Sequence, residues 1–564
     1  CGAEPVRVSE ALRALSNAVQ GSGVPPTVWF KESSPRNLKS RDFLVPRGAL
    51  KKLFPDGEVP EDLLNTLKSL NSPGMPPIRS SLQSEAGLVI QLDRPAVFQR
   101  LLTDYSPYLR PAPSDVPGGQ NVVILNCSPL HACRNLDSLR LSHLRAALIT
   151  DHLAELLRLT GATVQLIPAV QNQDIKNFLH QLGVSWPSVS EATSVGETVS
   201  AFKQSLKECI YVNCNDGEQQ ELQDETPRVL FNMHLRPFIE EQHLSQQGYD
   251  PNLDAFLGKN CSLILSLLIK REFPLRWPYM LRSAHLVSDQ EEAAHCTVLH
   301  VVSCEDEFHQ QKLDLLWRIL DPGATTQKHL ICGPVRVLNP LSPVSCAQYF
   351  QNKEKSVSLS QKYQNKIPVT CALSQGNRWD EIITCLASAA IKFEMMSTAH
   401  RSQVTLDLED TNITTKGTKS GAFVMYNCAR LATMFESYSS AVQKGLYPEF
   451  PSVGDLNYST LREEGEWLLL FNYILPFPEV LAQSVQISLS SRGIRVTANT
   501  EAVCKFLVNL SMDFSSYYNR VHILGEPLSH LFGQMFARLQ LMKAIQSVLH
   551  SALDTLHILP LNQI

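Results

Sequence analysis

Twice along this chain a short apolar run, a helical stretch and a second apolar run follow one another, and that succession restricts the fold more than any other feature. The first unit opens at Asn121 with NVVILNCSPL and continues as SHLRAALITDHLAELLRL, where Leu144, Ala147, Leu148 and His152 share one helical face. Gly161 stands where a helix C-cap falls, and residues 163–170 are strand-like. The second unit runs through VLHVVSC (298–304), the helical residues 306–320 and HLICGPVRV (329–337). Strands joined through helices of this length pair in parallel, so the middle of the chain is expected to be α/β.

On either side the pattern changes. After about Asn377 the β signals nearly vanish and long amphipathic helices take over: 384–398, 421–443, 466–485 (bent at Pro476 and Pro478) and two more, in which Val503, Phe506, Leu507, Leu510, Phe514 and Tyr517, then Phe536, Leu539, Ile545, Leu549 and Ala552, fall at helical spacing. They predict an all-α helix bundle. Residues 1–115 form a small α+β unit closed by the Pro-rich stretch 107–120. The expected organisation is therefore an N-terminal unit 1–115, an α/β domain 116–400 carrying a poorly periodic, Gln/Glu-rich insertion at 185–293, and a bundle 401–564.

Composition excludes several classes. At 564 residues with 44% apolar and 19% charged side chains, the chain has the make-up of folded protein in several domains. No uninterrupted apolar run approaches the roughly 20 residues of a bilayer-spanning helix; the richest, 261–269, stops at Lys270 and Arg271. Residues 2–20 read as an amphipathic helix, not a secretory segment, and the expected location is the cytoplasm. The 14 cysteines are scattered, without CxxC spacing or metal-type histidines beside them, so free thiols and no metal are expected. A net charge of −5 argues against nonspecific coating of nucleic acid, and any RNA affinity must come from local patches. One such patch spans 31–52, with Lys31, Arg36, Lys39, Arg41, Arg47, Lys51 and Lys52 against Glu32 and Asp42; it reads as either a solvated loop or a phosphate-contacting arm in which Lys39 and Arg41 are candidate contacts.

From Asn121 onward the order of these segments resembles a class I arginyl-tRNA synthetase. NCSPLHACRNLDSLRLSHLRAALITDHLAELLRLTGATVQLIPAV resembles the stretch that carries the nucleotide-binding HIGH signature, CTVLHVVSCEDEFHQQKLDLLWRIL with KHLICGPVRV resembles the strand leading to the lysine-containing second signature, and the closing helices resemble the DALR anticodon-binding domain of that family. The resemblance implies a degenerate, Rossmann-like synthetase domain followed by an anticodon-binding bundle. The signatures depart from the family: HIGH reads Arg140, Leu141, Ser142, His143, and after Val337 the chain offers LNPLSPVSCAQYF with no lysine before Lys353. Adenylation needs phosphate-contacting imidazoles, a glycine beside the nucleotide and a charge-stabilising lysine, so loss of aminoacylation is expected, with no catalytic residues and no cofactor. His143 reads otherwise as the polar start of a helix, and Asp151–His152 as a surface pair on that helix.

An anticodon loop presents unstacked bases, which proteins hold on aromatic or guanidinium planes and read along their edges. Side chains of that kind cluster in the bundle: Lys416, Lys419, Tyr426, Asn427 and Arg430; Tyr517, Tyr518, Asn519, Arg520 and His522; Arg538 and Gln540. Tyr426 and Tyr517 lie on or near apolar faces and read equally as core, whereas Lys416, Lys419, Tyr518, Asn519 and Arg520 look solvent-facing. The resemblance further implies arginine tRNAs as ligands and a tRNA 3-methylcytidine methyltransferase as partner, this chain acting as the discriminator that hands over the tRNA. The alternatives are an active arginyl-tRNA synthetase and a scaffold without tRNA specificity.

Overall fold

The structure, a computed structural model, describes residues 5–20, 29–70, 74–111, 122–187, 208–214, 229–258, 296–320, 326–338, 343–364, 376–408, 420–487 and 492–562. Lys416 and Lys419 lie outside them.

The N-terminal unit contains α1 (Val8–Gln20), β1 (Phe30–Lys31), β2 (Phe43–Pro46), α2 (Glu61–Lys68), β3 (Ile78–Ser84), β4 (Gly87–Leu92) and α3 (Arg94–Thr103), its strands forming an antiparallel sheet in the order β1-β2-β4-β3. Asp93 caps α3 by accepting from the Ala96 amide, one of the orphan donors of a helix start.

The two strand–helix–strand units are present: β5 (Val122–Cys127), α4 (Leu141–Leu159) and β6 (Thr163–Ile167), then α5 (Gln173–Gln181), a small antiparallel sheet of β7 (Val212–Cys214), β8 (Val229–Met233) and β9 (Ala255–Gly258), and β10 (Cys296–Ser303), α6 (Glu307–Leu320), β11 (Thr326–Cys332) and β12 (Val335–Val337). Next come α7 (Cys346–Gln364), α8 (Gly376–Met396), β13 (Val404–Leu406), α9 (Gly421–Gln443), α10 (Glu464–Leu469), α11 (Phe477–Val485), β14 (Arg495–Val496), α12 (Ala502–Arg520) and α13 (Phe532–Asp554). The central sheet is parallel throughout, in the order β14-β11-β10-β5-β6, so a two-residue strand from within the helical half completes its edge.

Helix α4 is buried on every side, which accounts for its lack of a polar face. Even Arg145 is enclosed, its guanidinium donating to the carbonyls of Gly333, Met395, Ala399 and Ser402. The Asp151–His152 pair is not on the surface: both are buried, where His152 Nδ1 donates to Thr555 O (2.7 Å) and Asp151 Oδ2 accepts from His557 Nδ1 (2.8 Å). These bonds, with Lys392 Nζ donating to Leu556 O (2.6 Å), tie the turn after α13 to the parallel-sheet domain, and that tie draws the polar pair inward.

Between α10 and α11 the backbone makes a π-turn, Leu470–Ile474, before Pro476 and Pro478. Residues Glu464–Val485 are long enough, and over an 18-residue stretch apolar enough (mean hydropathy 1.3), to cross a membrane, although polar residues interrupt the run. They pack inside the protein: Trp467, Leu469, Leu470, Phe471, Ile474 and Phe477 are buried. The N-terminal unit sits on this segment, with Phe43 edge-on to Phe471 (5.7 Å) and Phe98 edge-on to Trp467 (5.6 Å). The Trp467 indole donates to Asp42 (2.9 Å), and Asn472 brackets the first strand by accepting from Lys31 Nζ and donating to Ser33 O, both 2.7 Å.

Candidate nucleic-acid interface

The carboxyl ends of parallel strands are where an α/β domain of this kind builds a ligand site. Here β5 leads through a 3-10 turn (Ser128–Ala132) to α4, and the groups at that point are turned on one another. Arg140 Nε donates to His143 Nε2 (2.9 Å), and its other end reaches Glu305 (2.9 Å). Burial and the adjacent Arg140 cation depress His143 to about 4, so the imidazole is neutral near pH 7. His143 Nδ1 lies 3.4 Å from Cys133 Sγ, a neighbour that sequence spacing did not reveal. The pair is not an activated nucleophile: burial pushes the thiol up to about 11, so it stays protonated near pH 7. The cleft between the ends of β5 and β6, lined by Leu130, His131, Cys133, Pro168, Val170 and Asn172, has a volume of about 30 Å³. That is room for a water molecule; pockets for small-molecule ligands run to hundreds of cubic ångströms.

The bundle presents a different arrangement. Helices α9 and α12 lie side by side and bring together Tyr426 and Arg430 from one, Ser515, Tyr518 and Asn519 from the other. The Arg430 guanidinium lies over both tyrosine rings, 4.3 Å from Tyr518 and 5.4 Å from Tyr426, and donates to Asn519 Oδ1 (2.7 Å) and Ser515 Oγ (3.1 Å). Both tyrosines are half-buried, and Asn519 and Arg520 are exposed, with Arg520 Nε on Ser516 O (3.1 Å). A guanidinium fixed in this way has lost its rotamer freedom before any ligand arrives. Its plane and the tyrosine rings suit the stacking of unpaired bases.

Other predicted contacts are engaged elsewhere. Asn427 is fully buried and donates to Phe423 O (2.9 Å); one residue beyond Tyr426, the helical turn carries it inward. Gln540 is buried and donates to Leu102 O (2.8 Å) in the N-terminal unit. Arg538 forms an ion pair with the buried Glu466 (2.8 Å), which also accepts from the buried Tyr517 (3.2 Å). In the N-terminal basic segment Arg41 is paired with Glu32 (2.6 Å), Lys39 with Glu464 (3.1 Å) and Arg47 with Glu58 (3.3 Å), and Lys31 lies 3.9 Å over the Phe471 ring. Much of that charge is answered within the protein, Lys39 by Glu464 at the start of α10 and Arg41 and Arg47 by Glu32 and Glu58 of the N-terminal unit itself.

A second aromatic cluster escaped the sequence reading. Tyr438 stacks on Tyr447 (6.0 Å, 18°), Phe450 and Phe536 meet edge-on (5.5 Å), and Lys543 Nζ lies 3.7 Å over Phe450. Leu446 beside it is 53% exposed. Its members are spread from 438 to 543, and only the aromatic content of the α9–α10 connection hinted at it.

The fold is shared with solved arginyl-tRNA synthetases. The Thermus thermophilus enzyme superposes with a TM-score of 0.59 at 15% identity, over 99% of this chain and 100% of that one. The Plasmodium falciparum enzyme superposes at 0.58 and 13% identity over the whole of both chains. In architecture, then, this is a protein of the arginyl-tRNA synthetase fold. The sequence model of the DALR N-terminal domain matches residues 6–108, and that of the DALR anticodon binding domain matches 424–564. Curated relatives called DALR anticodon-binding domain-containing protein 3 are 45% identical in Rattus norvegicus and 40% identical in Danio rerio, each alignment covering 99% of both chains. The chain belongs to the DALR anticodon-binding domain-containing protein 3 family.

Proposed function

We propose that this chain is a tRNA-binding protein without aminoacylation activity, which recognises arginine tRNAs at the anticodon loop and, in the cytoplasm, acts as adaptor for a tRNA 3-methylcytidine methyltransferase. The observation that carries the RNA-binding half is the Arg430 guanidinium held between Tyr426 and Tyr518 on a bundle matched by an anticodon-binding domain. It combines a cation for the backbone with planes for unstacked bases.

The non-catalytic half rests on the region that corresponds to the first synthetase signature. Arg140 is held between a neutral His143 and Glu305, and Ser142 stands where the family has glycine. Each missing charge-stabilising group is worth several kcal/mol of barrier, so the loss of both signatures leaves no practical rate. The adaptor role and its methyltransferase partner come from the family resemblance, and they are physically reasonable: a subunit that selects the tRNA adds its binding energy to that of a catalytic partner.

The competing reading is an active arginyl-tRNA synthetase, favoured by the shared fold. ATP–pyrophosphate exchange in the presence of arginine and tRNA separates the two. The proposal expects no exchange above the protein-free rate, together with salt-dependent binding of arginine tRNAs. Exchange that scales with protein concentration contradicts it.

A further inference from the structure

Within the central sheet, β10 and β11 pair in parallel with His300 directly opposite His329, and both imidazoles stand on the face covered by α6. That helix is the crossover between the two strands, and two turns into it Asp314 points down between the rings. His300 Nε2 lies 3.2 Å from Asp314 Oδ1, while His329 Nε2 contacts Asp314 Oδ2. The three residues are 3%, 1% and 0% exposed, and their ligand atoms all lie within 4.8 Å of one another. The Gln327 oxygen, 2.9 Å from His300 Nε2, is a fourth donor at the same point.

We propose that His300, Asp314 and His329 form a structural divalent-metal site, of the kind zinc takes, that staples the β10–α6–β11 crossover from inside. Two imidazole nitrogens and a carboxylate are a donor set suited to zinc, and complete enclosure is the mark of a structural site, since a catalytic one keeps an open position.

The surroundings fit. The Tyr249 hydroxyl donates to Asp314 Oδ2 (3.4 Å), and the Arg318 guanidinium is directed over the Tyr249 ring. An outer ring of partners orients the donors: Gln310 Nε2 donates to Asp314 (3.3 Å), and the Asn126 amide lies between His300 Nδ1 (2.8 Å) and His131 Nε2 (2.7 Å). The two settings of that amide are nearly isosteric. As placed, the Asn126 nitrogen faces His300 Nδ1 and its oxygen faces His131 Nε2; metal binding requires the flipped setting, in which the oxygen accepts from His300 Nδ1–H and leaves Nε2 bare for the metal. In that setting the Asn126 nitrogen donates to His131 Nε2. Three buried nitrogens, His329 Nδ1, Gln327 Nε2 and Gln311 Nε2, find no partner among the described residues. Spacing alone could not reveal the site, because its ligands come from three segments and none forms a CxxC or HxxxH pair.

The test uses the full chain, purified without an immobilised-metal column. Elemental analysis should find about one zinc per chain, falling at least roughly tenfold in Asp314→Asn and His329→Asn. Cobalt added to chelator-treated wild type should give tetrahedral d–d bands without thiolate charge transfer. This measurement stands even if the variants fail to fold. Wild type with no stoichiometric divalent metal, and no change in melting temperature on adding zinc, overturns the proposal. So does metal that persists in both variants, or a cobalt spectrum with thiolate bands, which assigns the ion to cysteines.

Discussion

Arg430 is set by four side chains from two helices, so it differs from an ordinary surface arginine in what its removal should cost. Arg430→Ala and Tyr518→Ala should each weaken tRNA binding by about 1–3 kcal/mol, roughly 5- to 150-fold, because stacking on such planes is worth that much per base. Fluorescence anisotropy with labelled tRNA checks this, and the melting temperature serves as control; unchanged binding in both variants would remove the face from the interface. Glu466 belongs to the opposite category. It is fully buried and bonded to Arg538 and Tyr517, so Glu466→Ala should destabilise by about 3–5 kcal/mol, whereas the exposed Arg520→Ala should stay within about 0.5 kcal/mol. Differential scanning fluorimetry distinguishes the two. At this scale the sequence was legible where side-chain character and helix phase agree, as at the exposed Asn519 and Arg520. It misled at Asn427, Gln540 and Asp151, polar residues buried by partners from 4 to 438 positions away, whose burial no local pattern reports.

The elements were more legible than their junctions. Both strand–helix–strand units and the long bundle helices followed from hydrophobic period, since an amphipathic or continuously apolar run survives any tertiary setting. The fifth strand of the parallel sheet did not, because Arg495–Val496 is two residues long and owes its state to the edge of β11. The π-turn Leu470–Ile474 was visible only as the bend at Pro476 and Pro478, yet it carries Asn472 to the N-terminal unit. Asn472→Ala removes two bonds worth about 0.5–1.5 kcal/mol each, and should speed proteolytic release of the N-terminal unit while the bundle persists. Equal cleavage rates would show that the aromatic contacts hold it alone. Helix α4 makes a further prediction. His143 and His152 on it, and His131 before it, are depressed from 6.5 to about 4 by burial. Between those values the unfolded chain binds protons that the folded chain does not, so stability falls as pH drops through that window, by up to about 1.4 kcal/mol per pH unit for each group. His557, raised through its bond to Asp151, acts in the opposite sense. Melting temperatures from pH 7 to 5 should therefore decline, and His152→Gln should flatten the decline; an unchanged slope would contradict this account of α4.

Across the whole molecule, one buried cluster runs from Val6 in the N-terminal unit through the parallel sheet to Ile558 beyond α13. The bundle is thereby held in a fixed attitude to the rest of the chain, by Gln540 and Trp467 on one side and by the Lys392–Leu556 and His152–Thr555 bonds on the other. Such a body suits selection of one tRNA shape, since rigid elements position a recognition face better than loops do. Its formal charge of −5 makes tight nonspecific attachment unfavourable, so on the proposed reading affinity comes from the right tRNA meeting the α9–α12 face. The central claim is that the chain discriminates among tRNAs without charging them. Equilibrium binding of purified arginine tRNAs against tRNAs of other specificities, at one fixed salt concentration near 0.15 M, tests it most directly. The account predicts that arginine tRNAs bind at least about tenfold more tightly, a difference of about 1.4 kcal/mol. Equal affinity for all tRNAs would contradict it.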